Sequence, residues 1–241
     1  MSVLRVCNNL TKMATRPFAE RGLWETLRSI RISSQARGRE RREGFDRRFG
    51  TDTDRRLSLK SLLARGDDVV PLWRYFGTLE RPFRRALEAL GVIEEDHVFV
   101  DLGCGKGRAL LMASERPFRR IVGVELSPAL LETARRNVDL YTSPTQRCTS
   151  FELVNIDAAN WEPPLENLVL YMFQPFPRDV MQRMLDNVER SLHACPRRVT
   201  VAYYNPIFGD LFWRSPTFRL RASGEPEQQG EFRWEIYESA A

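Results

Sequence analysis

This chain is basic, yet it has almost no lysine and almost no histidine. Of its 37 Lys and Arg residues only Lys12, Lys60 and Lys106 are lysines, and His97 and His193 are its two histidines. Cysteine is scarce too: Cys7, Cys104, Cys148 and Cys195 show no CxxC spacing. That pattern offers no disulfide framework, no zinc-ligand set and no dithiol redox motif. Long apolar runs are also missing, and none approaches the ~20 residues that a membrane-spanning helix needs. The opening MSVLRVCNNLTKMATR has no convincing apolar signal core. It is amphipathic and carries arginine, as a transit peptide does, but acids intrude at Glu20 and Glu25, and the expected location is the cytoplasm. His97 falls at the start of a strand and His193 at a helix end, where a cation is favoured, so both read as structural. No internal repeat or low-complexity segment is present.

What the chain does have is the stretch Val98 to Leu111, VFVDLGCGKGRALL. Apolar and β-branched residues form a buried strand ending at Asp101. Three glycines at spacing two follow, Gly103, Gly105 and Gly107, and then a helix-compatible run. Strand, glycine turn and helix form the layout in which backbone approaches a ligand at the carboxyl edge of a sheet. A dinucleotide fingerprint would place Gly or Ala sixth from Gly103, where this chain has Arg108. A P-loop would follow its Lys with Ser or Thr, whereas Lys106 precedes Gly107.

An acid at the strand end followed by GxGxG remains. Asp101-Leu102-Gly103-Cys104-Gly105-Lys106-Gly107 resembles the first motif of the class I methyltransferases that use S-adenosylmethionine (SAM). A second strand, RIVGVE, ends in Glu125, 24 residues beyond Asp101, where a carboxylate can accept both hydroxyls of a ribose. Ser127 and Pro128 then start a helix as N-cap and first-turn residue. A third strand, Phe151 to Ile156, ends in Asp157, and the resemblance implies that an acid there contacts the adenine amino group. One acid at a strand end is commonplace; three at successive strand ends with helices between them are not.

A fourth strand, LVLYMF, leads into Gln174-Pro175-Phe176. The chain is similar, over roughly Phe45 to Tyr237, to a bacterial group of class I methyltransferases of poorly defined substrate that carry Asn-Pro-Phe at this point. GTDT at Gly50 to Thr53 and YYNP at Tyr203 to Pro206 share in that likeness. Gln174 stands where the group has Asn, which keeps the amide but moves it one methylene outward. The expected role of Gln174 is to orient an acceptor nitrogen through its side-chain oxygen. Tyr203, Tyr204 and Asn205 are second candidates.

The remaining pattern completes one domain. Val180, Met181, Met184, Leu185, Val188 and Leu192 mark a helical stripe, RVTVAYY a fifth strand, and two C-terminal strands flank the polar SGEPEQQG. The expected fold is α/β: a Rossmann-like, seven-stranded, mostly parallel sheet with helices on both faces and a C-terminal antiparallel hairpin. The expected organisation is a basic extension over residues 1–44, a helical cover over 45–92 and a SAM-binding domain over 93–241. Arg81 to Leu90 reads as a helix capped by Gly91, with Trp73 and Tyr75 in the cover before it. The extension is expected to be dispensable for folding and cofactor binding.

Residues 1–60 hold 15 Lys or Arg against 7 Asp or Glu, a net of +8, which leaves −3 for the rest of a chain whose total is +5. The densest run, Arg37 to Arg42, could contact phosphates. Glu40 and Glu43 break it, and no aromatic residues interleave in the manner of base-stacking surfaces, so nucleic acid is not the favoured partner. The expected activity is methyl transfer from SAM, with Asp101, Gly103, Gly105, Gly107, Glu125 and Asp157 as cofactor contacts and an unidentified nitrogen or oxygen acceptor on a protein or small molecule. The competing readings are a non-catalytic SAM-fold protein that binds RNA or a partner, and a nicotinamide oxidoreductase, which Arg108 argues against. Neither a metal nor a membrane partner is expected.

Overall fold

The computed structural model describes residues 44–54, 77–228 and 231–240; residues 1–43 of the basic extension and the stretch Trp73 to Phe76 lie outside them. The elements in chain order are α1 (Phe45–Phe49), α2 (Glu80–Glu88), β1 (His97–Leu102), α3 (Arg108–Ala113), β2 (Arg120–Glu125), α4 (Pro128–Leu140) and β3 (Phe151–Asn155). They continue with β4 (Asn167–Phe173), α5 (Arg178–Ala194), β5 (Val199–Tyr204), α6 (Gly209–Arg214), β6 (Phe218–Gly224) and β7 (Trp234–Ser239). The strands make one sheet in the order β3-β2-β1-β4-β5-β7-β6. The first five in that order run parallel, and β7 lies antiparallel to both β5 and β6. This is the expected mostly parallel sheet closed by an antiparallel hairpin.

Strand periodicity splits the core in two. Phe99, Val169, Tyr171, Ala202 and Tyr204 face one layer, which α2, α3 and α4 cover through Phe83, Leu87, Leu110, Leu111 and Leu131. Val98, Val100, Leu102, Leu170, Met172, Val201 and Tyr203 face the other, covered by α5 and α6 through Met181, Leu185, Val188 and Phe212. Every residue of β1 is buried, because a central parallel strand has helices on both sides. The apolar stripe read along residues 177–192 is the face that α5 lays on the sheet.

A few boundaries differ from the sequence reading. β7 begins only at Trp234, four residues after the polar SGEPEQQG, since the Phe232 N–H goes to the Tyr204 hydroxyl at 2.9 Å instead of the ladder. Helix α2 ends at Glu88 with Ala89 as its cap, and Gly91, expected to cap it, lies beyond with φ +57°.

The chain steps from β1 outward to β2 and β3, then returns to place β4 on the opposite side of β1. Such a reversal opens a crevice at the carboxyl ends of the two central strands. The ends of β1, β2, β3, β4 and β5 share that edge, so Asp101, Glu125, Asp157 and Gln174 are brought to one rim, as the sequence reading expected.

Candidate active site

The turn after β1 is pinned to β2. Gly103 N–H and Cys104 N–H both donate to the Val124 carbonyl, at 2.8 and 3.0 Å, and Gly107 N–H closes the turn onto the Cys104 carbonyl at 2.8 Å. Two of its glycines are steric necessities. Gly107 has φ +85° and presses on α4, where a Cβ would come within 3.3 Å of Ala134 Cβ. Gly103 has φ +82°, and a Cβ there would lie 2.6 Å from Pro175 Cβ. The nearest obstacle to a larger residue at Gly103 is therefore the turn after β4.

Two carboxylates flank this turn. Glu125 is 8% exposed; its Oε2 accepts the Gly105 N–H at 2.9 Å and its Oε1 the Ser127 N–H at 2.8 Å. Ser127 in turn caps α4 by accepting from the Leu130 N–H. Each Glu125 oxygen retains a lone pair for a further donor such as a ribose hydroxyl. Asp101 stands between Gly123 of β2 and Tyr171 of β4 in the ladder, is 4% exposed, and has no side-chain hydrogen bond among the described residues. Burial raises the Asp101 carboxyl well above the usual range, and the neighbouring Glu125 charge adds to the rise. Glu125 is raised by burial as well, against the opposing pull of the Ser127, Gly105 and Leu126 amides. The Cys104 thiol is also raised, by burial and then by the charges of Asp101 and Glu125.

The other expected residues occupy the same rim with side chains already engaged. Asp157 uses Oδ1 to cap the 3₁₀ turn Ala158–Asn160 through the Ala159 N–H at 2.8 Å. Gln174, with φ +41°, accepts the Tyr203 hydroxyl at 3.0 Å and the Ile207 N–H at 3.2 Å. An amide N–H can only donate, so the Gln174 atom facing Ile207 is the oxygen. The expectation that this oxygen would receive an acceptor's N–H is therefore corrected: it ties β4 to the loop after β5. Its Nε2 is buried with no partner among the described residues. Tyr203 and Tyr204 are fully buried, their hydroxyls engaged with Gln174 and the Phe232 amide, and Asn205 (φ +55°) donates its N–H to the Arg233 carbonyl.

A set of residues that the sequence reading had not assigned to the site braces the glycine turn from outside. Lys106 and Arg108 flank Gly107 and are both buried. Lys106 Nζ lies 3.0 Å from Asp52 Oδ1, and Arg108 Nε donates to Thr53 Oγ1 at 2.6 Å. The Arg108 guanidinium also sits over the Phe45 ring, 5.0 Å from its centroid. Asp46 organises the segment by accepting from the Thr51 hydroxyl, the Thr53 hydroxyl and N–H, and the Asp54 N–H. Burial alone would raise the Asp46 carboxyl; the bonds from Thr53 and Thr51 and the Arg108 charge outweigh it and hold it below the usual range. Asn137 of α4 joins the two parts, accepting the Asp52 N–H and donating to the Asp52 and Lys106 carbonyls. The one trace of this in the sequence was the GTDT stretch.

Sheet order and glycine turn make a Rossmann-like α/β fold with two buried carboxylates beside the turn. Residues 99–194 match the family model described as a methyltransferase domain, and the cofactor of such a domain is SAM. The site fits it: SAM carries a positive sulfur, and two buried carboxylates held above their ordinary range are relieved by a cation.

The fold is similar to that of the Escherichia coli yhhF protein, with a TM-score of 0.53 at 15% identity over 70% of this chain and 95% of that one. It is similar also to the methyltransferase domain of bacterial CtHen1-C, with a TM-score of 0.50 at 15% identity over 67% of this chain and 98% of that one. In sequence the chain is 34% identical over 103 residues to trans-aconitate 2-methyltransferase of Streptomyces coelicolor, covering 39% of this chain and 33% of that protein. It is 30% identical over 134 residues to carboxy-S-adenosyl-L-methionine synthase of Citrobacter koseri, covering 53% of each. The chain thus spans about half or less of the length of these curated relatives.

Proposed function

We propose that this chain transfers the methyl group of SAM to a nitrogen or oxygen nucleophile on a protein or small molecule. The observation that supports this most is the pair of buried carboxylates, Asp101 and Glu125, at the ends of adjacent strands, with Glu125 holding the Gly105 amide at 2.9 Å. SAM supplies a methyl group already activated on a positive sulfur. The chain's part is to bind, align and exclude water. In this reading Glu125 takes the ribose hydroxyls. Gly103, Gly105 and Gly107 bring backbone against the methionine portion, Asp101 faces the positive end of the cofactor, and Asp157 offers its second oxygen to the adenine amino group.

Gln174 is the residue proposed to touch the acceptor. Its oxygen is engaged, so what it offers is the Nε2 donor, suited to a carbonyl or carboxylate oxygen next to the methylated atom. No general base is assigned. His97 faces the Ile93 carbonyl at the start of β1, the opposite edge of the sheet, and His193 lies in the last turn of α5. An acceptor already carrying its charge, such as a carboxylate, needs no base. The name of the Streptomyces relative, a trans-aconitate methyltransferase, points to the same chemistry.

Calorimetry with SAM and its demethylated product should show binding to the full chain. Labelling of a cell lysate with methyl-tritiated SAM should yield label in a protease-sensitive or small-molecule fraction that RNase leaves unchanged. Label removed by RNase alone would overturn the choice of acceptor class, and absence of SAM binding would overturn the reading as a whole.

A further inference from the structure

The glycine turn carries an electrostatic arrangement that cofactor binding by itself does not require. Lys106 and Arg108 place two buried cations at the N-terminal end of α3. The helix dipole disfavours positive charge there, and the cofactor assigned to this turn is itself a cation. Buried ion pairs seldom stabilise a fold more than apolar residues of the same size would. What they do well is fix one geometry, and here both cations point at one short segment, through Asp52 for Lys106 and through Thr53 and Asp46 for Arg108.

That segment is a stiff platform. Asp46 closes the loop after α1 with five hydrogen-bond contacts from Thr51, Thr53 and Asp54. Phe45 is 1% exposed and stacks on Tyr141, so the platform is anchored in the sheet's cover. Asn137 then bonds on one side to Asp52 and on the other to the Lys106 carbonyl, which is part of the turn's own backbone. The turn is therefore held between β2, through Val124 and Glu125, and a segment more than fifty residues upstream.

We infer that residues 44–54 are a positioning element for the cofactor turn, in which Thr53 and Asp52, acting through Arg108 and Lys106, set the affinity for SAM. The inference rests on the reading that the glycine turn holds SAM. Asp52 has a second effect, since its charge offsets Lys106 beside a cationic ligand. Its loss weakens SAM more than the demethylated product, whose sulfur is neutral. Coupling between two sites is reciprocal, so the cofactor in turn quiets the platform.

The test uses the full chain and calorimetry with SAM and with its demethylated product. Thr53→Val keeps the shape and removes the oxygen that accepts from Arg108; Thr53→Ser keeps that oxygen. Thr53→Val should weaken both ligands by about fivefold or more, and Thr53→Ser should recover wild-type affinity to within about twofold. Asp52→Asn should weaken SAM more than the product. On the wild-type chain, hydrogen exchange at the Thr53 and Asp54 amides, both bonded to Asp46, should slow when the demethylated product is added. This last readout does not depend on any variant folding. Unchanged affinities in Thr53→Val and Asp52→Asn, with exchange indifferent to ligand, would overturn the inference while wild-type binding kept the methyltransferase reading intact. A wild-type chain that binds neither ligand would overturn both.

Discussion

Gly103 and Pro175 close on each other across the switch between β1 and β4, with room for a hydrogen but not for a methyl group: a Cβ on Gly103 would lie 2.6 Å from Pro175 Cβ. The cofactor turn and the proposed acceptor loop are thus in direct contact, and a change in one moves the other. Gly103→Ala should combine this collision with the strain of a φ of +82°, about 1–2 kcal/mol for an L residue. It should lower the melting temperature and abolish the stabilisation that SAM confers. Pairing it with Pro175→Gly should recover part of the melting temperature, and a double variant no better than the single one would show that the contact is not what matters.

Glu125→Gln keeps the shape and turns one oxygen into an NH₂ group facing the Gly105 or the Ser127 amide. One ribose acceptor and one backbone tie are lost together. The expected cost in cofactor binding is about 1–3 kcal/mol, roughly five- to 150-fold in Kd. Calorimetry reads this directly, and an unchanged Kd would remove Glu125 from the site.

Asp101 and Glu125 give cofactor binding a pH dependence of defined sign. Both carboxyls are raised in the folded chain, chiefly by burial. The empty native state therefore keeps protons that the unfolded chain releases. The stability linked to these groups is complete below the ordinary carboxylate range and falls as pH rises through it toward the folded values. A cation in the site reverses the preference, so SAM binding expels protons and tightens as pH rises. Calorimetry in buffers of different ionisation heat, between about pH 5 and 8, should show this proton release. Affinity flat with pH and no proton release would show that the carboxylates are not coupled to the ligand.

Gln174 joins β4 to the loop after β5, so its variants should report on both shape and turnover. Gln174→Ala takes an acceptor from the Tyr203 hydroxyl and the Ile207 N–H, which costs about 1–3 kcal/mol of stability. Gln174→Asn suits the φ of +41° better, but its oxygen falls one methylene short of those donors. Turnover should rank wild type, then Asn, then Ala, with SAM affinity held to within about twofold; lost SAM affinity equal to lost turnover would assign Gln174 to the cofactor instead.

The linear chain already specified a good deal. Near-continuous runs of apolar residues along Val98 to Leu102 and Leu168 to Phe173 named the central strands, and the spacing of Gly103, Gly105 and Gly107 named the turn between strand and helix. Parallel strands joined by helices then bring Asp101, Glu125, Asp157 and Gln174 to one edge whatever the side-chain detail. These are local signals, a short apolar run or a glycine at a fixed offset, and they survive in one dimension.

Only the tertiary structure decided how the polar groups are divided among partners. Lys106 finds Asp52 across 54 positions, Arg108 finds Thr53 across 55, and Asn137 finds Asp52 across 85. Such pairings have no period and leave no mark in composition. The direction of the Gln174 amide was fixed in the same way, by an N–H from Ile207 that only the folded loop supplies. Apolar patterning places the elements because burial is non-directional and averages along a face. Hydrogen bonds and ion pairs are short and directional, so their partners exist only once the chain has closed on itself.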